Sequence, residues 1–169
     1  MKSWLIDTGL HVLATKRPLT MTIEPQRPNH SFLADCDRIY REWHERAKAR
    51  DMDGLLALYA QDAVLETPLV QAIYRDRRDG ILRGHGEIGP FFVEATRRPL
   101  NELVRWYRSG RWLTDGVRLL AWEYPRATPD GDQVDVVELM EVAAGLIQSH
   151  RVYGGWLGTA LLTGSRDLI

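Results

Sequence analysis

The sequence has little cysteine, no long apolar run and almost no net charge. Its 169 residues include one cysteine, Cys36, which excludes an internal disulfide framework and favours a reducing, cytoplasmic compartment. No apolar run approaches the ~18 residues that a membrane-spanning helix needs, and Asp7 and His11 interrupt any signal-peptide core. The formal charge of −1 gives no reason to expect nucleic acid or an anionic membrane as a partner.

The motifs of several enzyme classes are also missing. Gly84 and Gly86 are too short a match for a phosphate-binding glycine loop, and no Gly-x-Ser-x-Gly nucleophile elbow occurs. His85 and His150 lie far apart, and neither has a second ligand at a useful spacing, so the sequence predicts no metal site. Cys36 falls on the apolar stripe of a predicted helix, which indicates a thiol in the core.

Size and composition predict one globular domain with an N-terminal extension. Hydrophobic residues make up 44% and charged residues 27% of the chain, which is ordinary for such a domain. Three prolines, Pro18, Pro25 and Pro28, argue against regular structure in the extension, residues 1–30. This arm either covers the domain or a neighbouring subunit, or is a solvated tail. Residues 31–169 are predicted to form the domain.

The order of the predicted elements places helices first and strands last. Apolar residues at spacings of three and four predict a long helix from Phe32 to Arg50, followed by a short one and a third that opens at Gly84. A short strand over residues 63–68 and an irregular stretch over residues 69–85 separate the second helix from the third. Within the irregular stretch, Ile81 and Leu82 are the candidate for a small strand. Strand patterns with turns fill residues 103–156. Because there is no βαβ alternation, we expect an α+β fold with an antiparallel sheet.

The predicted hairpin from Gln133 to Trp156 carries the first candidate site. Two β-type runs flank a tight turn. If the turn leaves Val142 opposite Leu146, then Glu138 falls opposite His150, on a face that is otherwise apolar. Two interpretations stay open: an acid/base pair in a site, or a buried ion pair that only supports the sheet.

Two further carboxylates, Glu66 and Glu123, lie in strand-like apolar surroundings. If Glu123 points inward, it joins Glu138 in one cavity. An apolar cavity raises the pKa of a carboxyl group, which suits such a group to general acid or base catalysis near neutral pH. The alternative is that Glu123 points outward from an edge strand. The face on which Glu66 lies is left open.

The run ARDMDGLLALYAQDAVLE, residues 49–66, resembles the signature of the nuclear transport factor 2-like superfamily. The resemblance is strongest to its SnoaL-like (polyketide cyclase) and ketosteroid isomerase-like branch. Residues 84–88 resemble the start of that family's third helix, and residues 136–153 its last hairpin. The resemblance covers roughly residues 33–156. It implies a cone-shaped barrel, in which about three helices pack on the concave face of a curved antiparallel sheet around a deep pocket.

The resemblance also implies a homodimer that packs through the outer face of the sheet. Three aromatic residues of the strand region, Trp122, Tyr124 and Tyr153, would suit that face.

The catalytic positions of ketosteroid isomerases are only partly kept. In those enzymes the base follows the acidic residue of the first strand, and here that position is Thr67, which cannot be the base. The oxyanion-binding tyrosine falls on Trp43. The second oxyanion group, a protonated aspartic acid, falls on Glu138, so an acid is kept there. We therefore do not expect isomerisation of that type.

Some catalytic positions of two other enzyme types with this fold have counterparts in the sequence. Limonene-epoxide hydrolase has an Asp-Arg-Asp site, of which one acid falls on Glu123, while Ala121 and Val152 replace the other two groups. Polyketide cyclases use an acid/base at the same end of the pocket, where Glu138 and His150 could act.

The first hypothesis is a pocket protein that binds a small hydrophobic molecule and is, if an enzyme, a cofactor-free isomerase or cyclase. His150 would be the general base, and Glu138 or Glu123 the acid. The expected ligand-binding residues are Trp43, Tyr59, Glu66 and Met140. The alternative is a non-catalytic, dimeric ligand-binding or interaction module; epoxide hydrolysis is a third possibility. A cavity of a few hundred Å³ shared by the three polar residues would favour the pocket.

Overall fold

The computed structural model describes residues 29–97, 105–106, 111–123, 126–127, 133–134 and 136–155. In this part of the chain four helices and two strands come first and seven strands follow, which confirms the predicted α+β fold. The predicted extension, residues 1–30, lies almost wholly outside the described residues, as does Tyr124.

The described part of the chain forms helices α1 (His30–Ala49), α2 (Met52–Leu56), α3 (Leu69–Ile73) and α4 (Gly84–Arg97). The strands are β1 (Tyr59–Glu66), β2 (Ile81–Arg83), β3 (Arg105–Trp106), β4 (Leu113–Thr114), β5 (Leu119–Glu123), β6 (Arg126–Ala127), β7 (Gln133–Val134), β8 (Val136–Ala143) and β9 (Leu146–Gly154).

Helix α1 confirms the predicted apolar stripe. Phe32, Cys36, Ile39 and Trp43 are buried along one face at spacings of three and four. Cys36 is fully buried, and this burial raises the pKa of its thiol to about 11. The thiol therefore belongs to the core.

Helix α3 corrects the prediction that residues 69–85 are irregular. Pro68 precedes the helix with a φ of −62°, which suits a helix start, and Val70 is fully buried. Five residues with a single buried anchor give a periodicity too short to be read from the sequence.

The main sheet has six strands in the order β2-β1-β9-β8-β5-β4. Four of its five neighbouring pairs are antiparallel, but β1 and β9 run parallel, so the sheet is mixed and not wholly antiparallel. Strand β9 lies between β1 and β8, well inside the sheet. A small second sheet pairs β3, β6 and β7.

The β8–β9 hairpin is confirmed, but its turn differs from the predicted one by one residue. Ala143, and not Val142, pairs with Leu146. The two turn residues, Ala144 and Gly145, have φ values of 51° and 74°. Positive φ at both central positions is the requirement of a type I′ turn, whose twist matches that of the strands.

A β-bulge in β9 shifts the strand register by one more residue relative to the predicted pairing. The pairing shifts after Glu141, and Gln148 is left without a partner residue on β8. Glu138 therefore pairs with Val152, and His150 with Met140. The predicted register, with Glu138 directly opposite His150, is wrong by two residues. Because side chains alternate with a period of two, both residues still share the inner face.

Strand β5 presents the opposite face to the one we expected. Trp122 is buried, with its ring edge against Tyr40 and Trp43 at centroid distances of 5.4 and 5.5 Å, and Leu120 is fully buried. Glu123 is exposed. Turning tryptophan and leucine inward buries much more apolar area than turning the neighbouring leucine and alanine inward. Trp122 is therefore a core residue and not part of the outer face.

Candidate functional site

A cavity of about 210 Å³ lies between the helices and the concave face of the sheet. Its volume is somewhat below the ~300–1,000 Å³ of pockets for drug-sized ligands, so a small ligand fits it best. Helices α1, α2 and α4 contribute Trp43, Ala47, Met52, Leu55, Phe91, Phe92, Ala95 and Thr96, with Arg50 at the end of α1. The sheet, the turn after β1 and the first residue of α3 contribute Leu65, Thr67, Pro68, Leu69, Val136, Glu138, His150, Val152 and Gly154.

Glu138 and His150 form a buried pair on the wall of this cavity. Each residue is 2% exposed. They are diagonal neighbours on β8 and β9, and the imidazole Nε2 hydrogen-bonds the carboxylate Oε2. Diagonal neighbours on one face are within reach when the side chains are long. The sequence therefore identified the contact correctly from a wrong register.

Tyr59 holds the other side of the imidazole. Its hydroxyl lies 2.7 Å from Nδ1 of His150, and the Trp43 indole N–H donates to the same hydroxyl oxygen at 3.3 Å. Burial raises the pKa of the Tyr59 phenol well above its usual value. The phenol therefore keeps its proton and has one hydrogen to donate.

These contacts fix the tautomer of a neutral His150. The Glu138 carboxylate can only accept, so Nε2 of the imidazole, which faces it, carries the proton and donates it. Nδ1 is then an acceptor, and the Tyr59 hydroxyl donates its hydrogen to it. The result is a hydrogen-bonded chain from Trp43 through Tyr59 and His150 to Glu138, in which both ring nitrogens of His150 are engaged by protein groups.

Thr67 is a third buried polar residue on the cavity wall, next to hydrocarbon side chains. It is 2% exposed, and its hydroxyl oxygen accepts the backbone N–H of Leu69 at 3.3 Å. The sequence placed Thr67 at the position of a catalytic base in related folds but assigned it no function. The alternation Ala63, Leu65, Thr67 along β1 is the signal that points it inward.

The structure separates the remaining predicted residues. Glu123 and Glu66 are exposed and do not line the cavity, so Glu123 does not join Glu138 there and Glu66 is not part of the expected ligand-binding wall. Met140 is fully buried in the core, two pairs nearer the hairpin turn than Glu138, and does not form the cavity wall. Tyr59 is buried behind His150. Trp43 alone among the four expected ligand-binding residues lines the cavity.

Part of the wall was not predicted at all. Phe91 and Phe92 of α4 and Val152 of β9 line the cavity. The sequence placed both phenylalanines on one helix face without relating that face to the sheet. Val152 appeared only as the replacement of a catalytic aspartate, and its place beside Glu138 depends on the bulge.

The described residues contain neither a group of metal ligands nor a helix that could span a membrane. No three His, Cys, Asp or Glu residues there lie close enough to hold a metal ion. No helix in that part of the chain is both long and apolar enough to cross a membrane.

Solved structures of the same fold include both uncharacterised proteins and enzymes. A SnoaL-like protein of unknown function from Burkholderia thailandensis is 23% identical, with 76% of this chain and 99% of that one covered and a TM-score of 0.59. The epoxide hydrolase/cyclase-like enzyme SalBIII, which acts in pyran ring formation in the polyether salinomycin, is 17% identical over 75% and 95%, with a TM-score of 0.54. A protein provisionally named a ketosteroid isomerase, from Kribbella flavida, is 18% identical over 72% and 78%, with a TM-score of 0.53.

At these identities the structural similarities establish the fold alone. No protein with a curated function matches the sequence. The model of the SnoaL-like domain family matches residues 40–150, which include the whole path from Trp43 to His150. The match covers well over half of the chain and agrees with the cavity between helices and curved sheet, and the chain therefore belongs to the SnoaL-like family.

Proposed function

We propose that the protein binds a small, largely apolar molecule in the cavity and catalyses a cofactor-free proton transfer on it, with Glu138 as the acid/base. The observation that carries this proposal is the buried Glu138–His150 pair on the wall of an otherwise mostly apolar cavity. A few convergent polar groups on the wall of an apolar pocket are the usual arrangement of a binding or catalytic site.

The assignment of Glu138 reverses the roles expected from the sequence, in which His150 was the base. Both nitrogens of His150 are hydrogen-bonded to Tyr59 and Glu138, so accepting a ligand proton would break one of these bonds. A carboxylate has two oxygens and about four lone-pair sites, so its bond to His150 leaves it capacity for a ligand proton. His150 and Tyr59 act as positioning residues that orient the carboxylate and stabilise its charge.

The reaction we propose is removal and return of a proton next to a carbonyl group. Glu138 accepts the proton from the carbon, the electron pair of the C–H bond forms a C=C bond, and the carbonyl π electrons move to oxygen. The protonated Glu138 then returns the proton to the same carbon, which completes exchange. Where a second C=C bond is conjugated with the enolate, it returns the proton to the far carbon of that bond, which completes isomerisation. The enzyme SalBIII, similar in fold, acts in ring formation; in a longer substrate the same carbanion could close a ring.

This function is tested with 2-tetralone, a bicyclic ketone small enough for a cavity of about 210 Å³. In D₂O, the protein should accelerate loss of the proton signal beside the carbonyl, followed by NMR. Glu138→Gln should reduce this rate by about 10²–10⁴-fold, the usual contribution of a general base. Glu123→Gln is the matched control and should keep the rate, because Glu123 lies outside the cavity.

Binding of the ketone without accelerated exchange would instead favour the non-catalytic binding module. Loss of exchange in Glu123→Gln with retention in Glu138→Gln would contradict the assignment of the base.

We also propose that two copies of the chain associate through the outer face of the sheet. Val137 and Tyr153 are directly paired there and are 40% and 54% exposed, and Leu113 is 74% exposed. Exposed apolar side chains grouped on one face are typical of protein–protein contacts. Val137→Asp with Tyr153→Asp should convert a dimer to a monomer in sedimentation velocity.

Val93 provides the control for this experiment, since it is 38% exposed but lies on helix α4. Val93→Asp should leave the dimer intact. A monomeric wild-type protein, or a double variant that remains dimeric, would contradict this interface.

A further inference from the structure

Thr67 is held in place by three hydrogen bonds that leave one hydrogen uncommitted. Its backbone N–H donates to Gly80 O at 2.8 Å, its carbonyl accepts from Val70 N at 3.2 Å, and its hydroxyl oxygen accepts from Leu69 N at 3.3 Å. The hydroxyl hydrogen has no acceptor among the described residues. The side chain is nevertheless buried, on the wall of the cavity.

A buried hydroxyl hydrogen without an acceptor costs free energy, and native proteins rarely leave such groups unsatisfied. Cavity groups near Thr67 in the chain, such as Leu65 and Leu69, are hydrocarbon and offer no acceptor. The missing acceptor can therefore be supplied by whatever occupies the cavity.

The strand register relates Thr67 to the proposed base. Leu65 pairs with His150, and Val152 pairs with Glu138. Continuing the parallel register by two residues from Leu65 brings Thr67 level with Val152, so Thr67 and Glu138 lie on either side of it. Two interstrand spacings of ≈ 4.8 Å separate their Cα atoms by about 10 Å. A bicyclic molecule lying over Val152 spans this distance once the two side chains are included.

We infer that Thr67 donates a hydrogen bond to an oxygen acceptor of the ligand, so that the pocket selects small apolar molecules carrying a carbonyl group. This inference rests on the proposed function for the place of the ligand. It adds the orientation of the ligand in the cavity: the carbonyl oxygen lies at Thr67, and the carbon that loses its proton faces Glu138. The hydroxyl hydrogen then also stabilises the negative charge that develops on the oxygen.

The test compares 2-tetralone with tetralin, a hydrocarbon of nearly the same shape that lacks the oxygen, by calorimetric titration. The wild-type protein should bind the ketone about threefold to tenfold more tightly than the hydrocarbon, the usual net effect of one hydrogen bond. Thr67→Val, which replaces the hydroxyl with a methyl group, should abolish this preference while tetralin binds as before. Thr67→Ser keeps the hydroxyl and should restore the preference.

An infrared measurement distinguishes a ligand contact from a structural role. The carbonyl stretch of bound 2-tetralone should lie at lower frequency in the wild type and Thr67→Ser than in Thr67→Val. If Thr67→Val does not fold because the Leu69 N–H loses its acceptor, the carbonyl stretch of 2-tetralone bound to the wild type is compared with that of the ketone in a hydrocarbon solvent, and it should still lie at lower frequency.

Equal binding of the two probes by the wild type, or equal weakening of both in Thr67→Val, would overturn the inference and leave the proposed function standing. Failure of the wild type to bind either probe would overturn both. Conversely, a ketone preference that depends on Thr67 supports the inference even if no proton exchange is catalysed.

Discussion

His150→Ala should lower the free energy of unfolding by about 3–5 kcal/mol, the usual cost of leaving a buried charge without its partner. The Glu138 carboxylate would stay buried while its contact with the imidazole is lost. Tyr59 would lose the acceptor of its hydroxyl hydrogen in the same variant. Urea denaturation, extrapolated linearly to water, measures the change.

The matched variant replaces both partners by apolar side chains of similar size, Glu138→Met with His150→Leu. Such replacements of buried pairs are often neutral or stabilising, so the double variant should be clearly more stable than His150→Ala. The comparison separates the cost of an unpaired charge from the loss of packing. A loss below about 1 kcal/mol in His150→Ala would contradict the buried pair.

Trp122→Ala should destabilise the fold by a similar amount, about 3–5 kcal/mol, the range for large aromatic truncations in a core. Trp122 is 2% exposed and packs against Tyr40, Trp43 and His44 of α1. Its removal would open a void beneath the helix that carries one cavity wall. Thermal and urea unfolding both measure the loss.

The adjacent residue provides the control, since Glu123 is exposed and any contact it makes is largely solvated. Glu123→Ala should cost less than about 1 kcal/mol. The two variants together decide which face of β5 points inward, and a reversed ranking would contradict the orientation of the strand.

Short-range patterns in the sequence were enough to predict much of the fold. The apolar stripe from Phe32 to Trp43 predicted α1, and the helix that opens at Gly84 was also correct. The hairpin of β8 and β9 followed from a turn between two alternating runs. Each of these signals lies within about 20 consecutive residues, where periodicity is informative.

The predictions were wrong for the inward face of β5 and for the register of β9, because a shift of one residue reverses or displaces such an assignment. Alternation in β5 predicted two faces correctly but not which of them the helices cover, so Glu123 was assigned to the cavity and Trp122 to the outside. The bulge at Gln148 leaves no signal in the composition of β9. The inward face of a strand and the position of a bulge depend on packing against elements that are distant in sequence.

Only the part of the candidate site that lies within one hairpin was predicted. Glu138 and His150 lie in one hairpin and were found together. The roles proposed for them depend on Tyr59, which lies in β1, and on Trp43 in α1. No local pattern links these four residues, so the direction of the hydrogen-bonded chain could not be read from the sequence.

The parallel pairing of β1 with β9 has a consequence for the order in which the chain folds. Leu65 meets its partner His150 only after nearly all of the described chain has left the ribosome. Until then, one edge of β1 lacks its partner strand, and pairing across so long a loop is slow. The cavity wall is completed last, because it includes His150 and Val152 of β9. We therefore expect folding during synthesis to be sensitive to changes in β9.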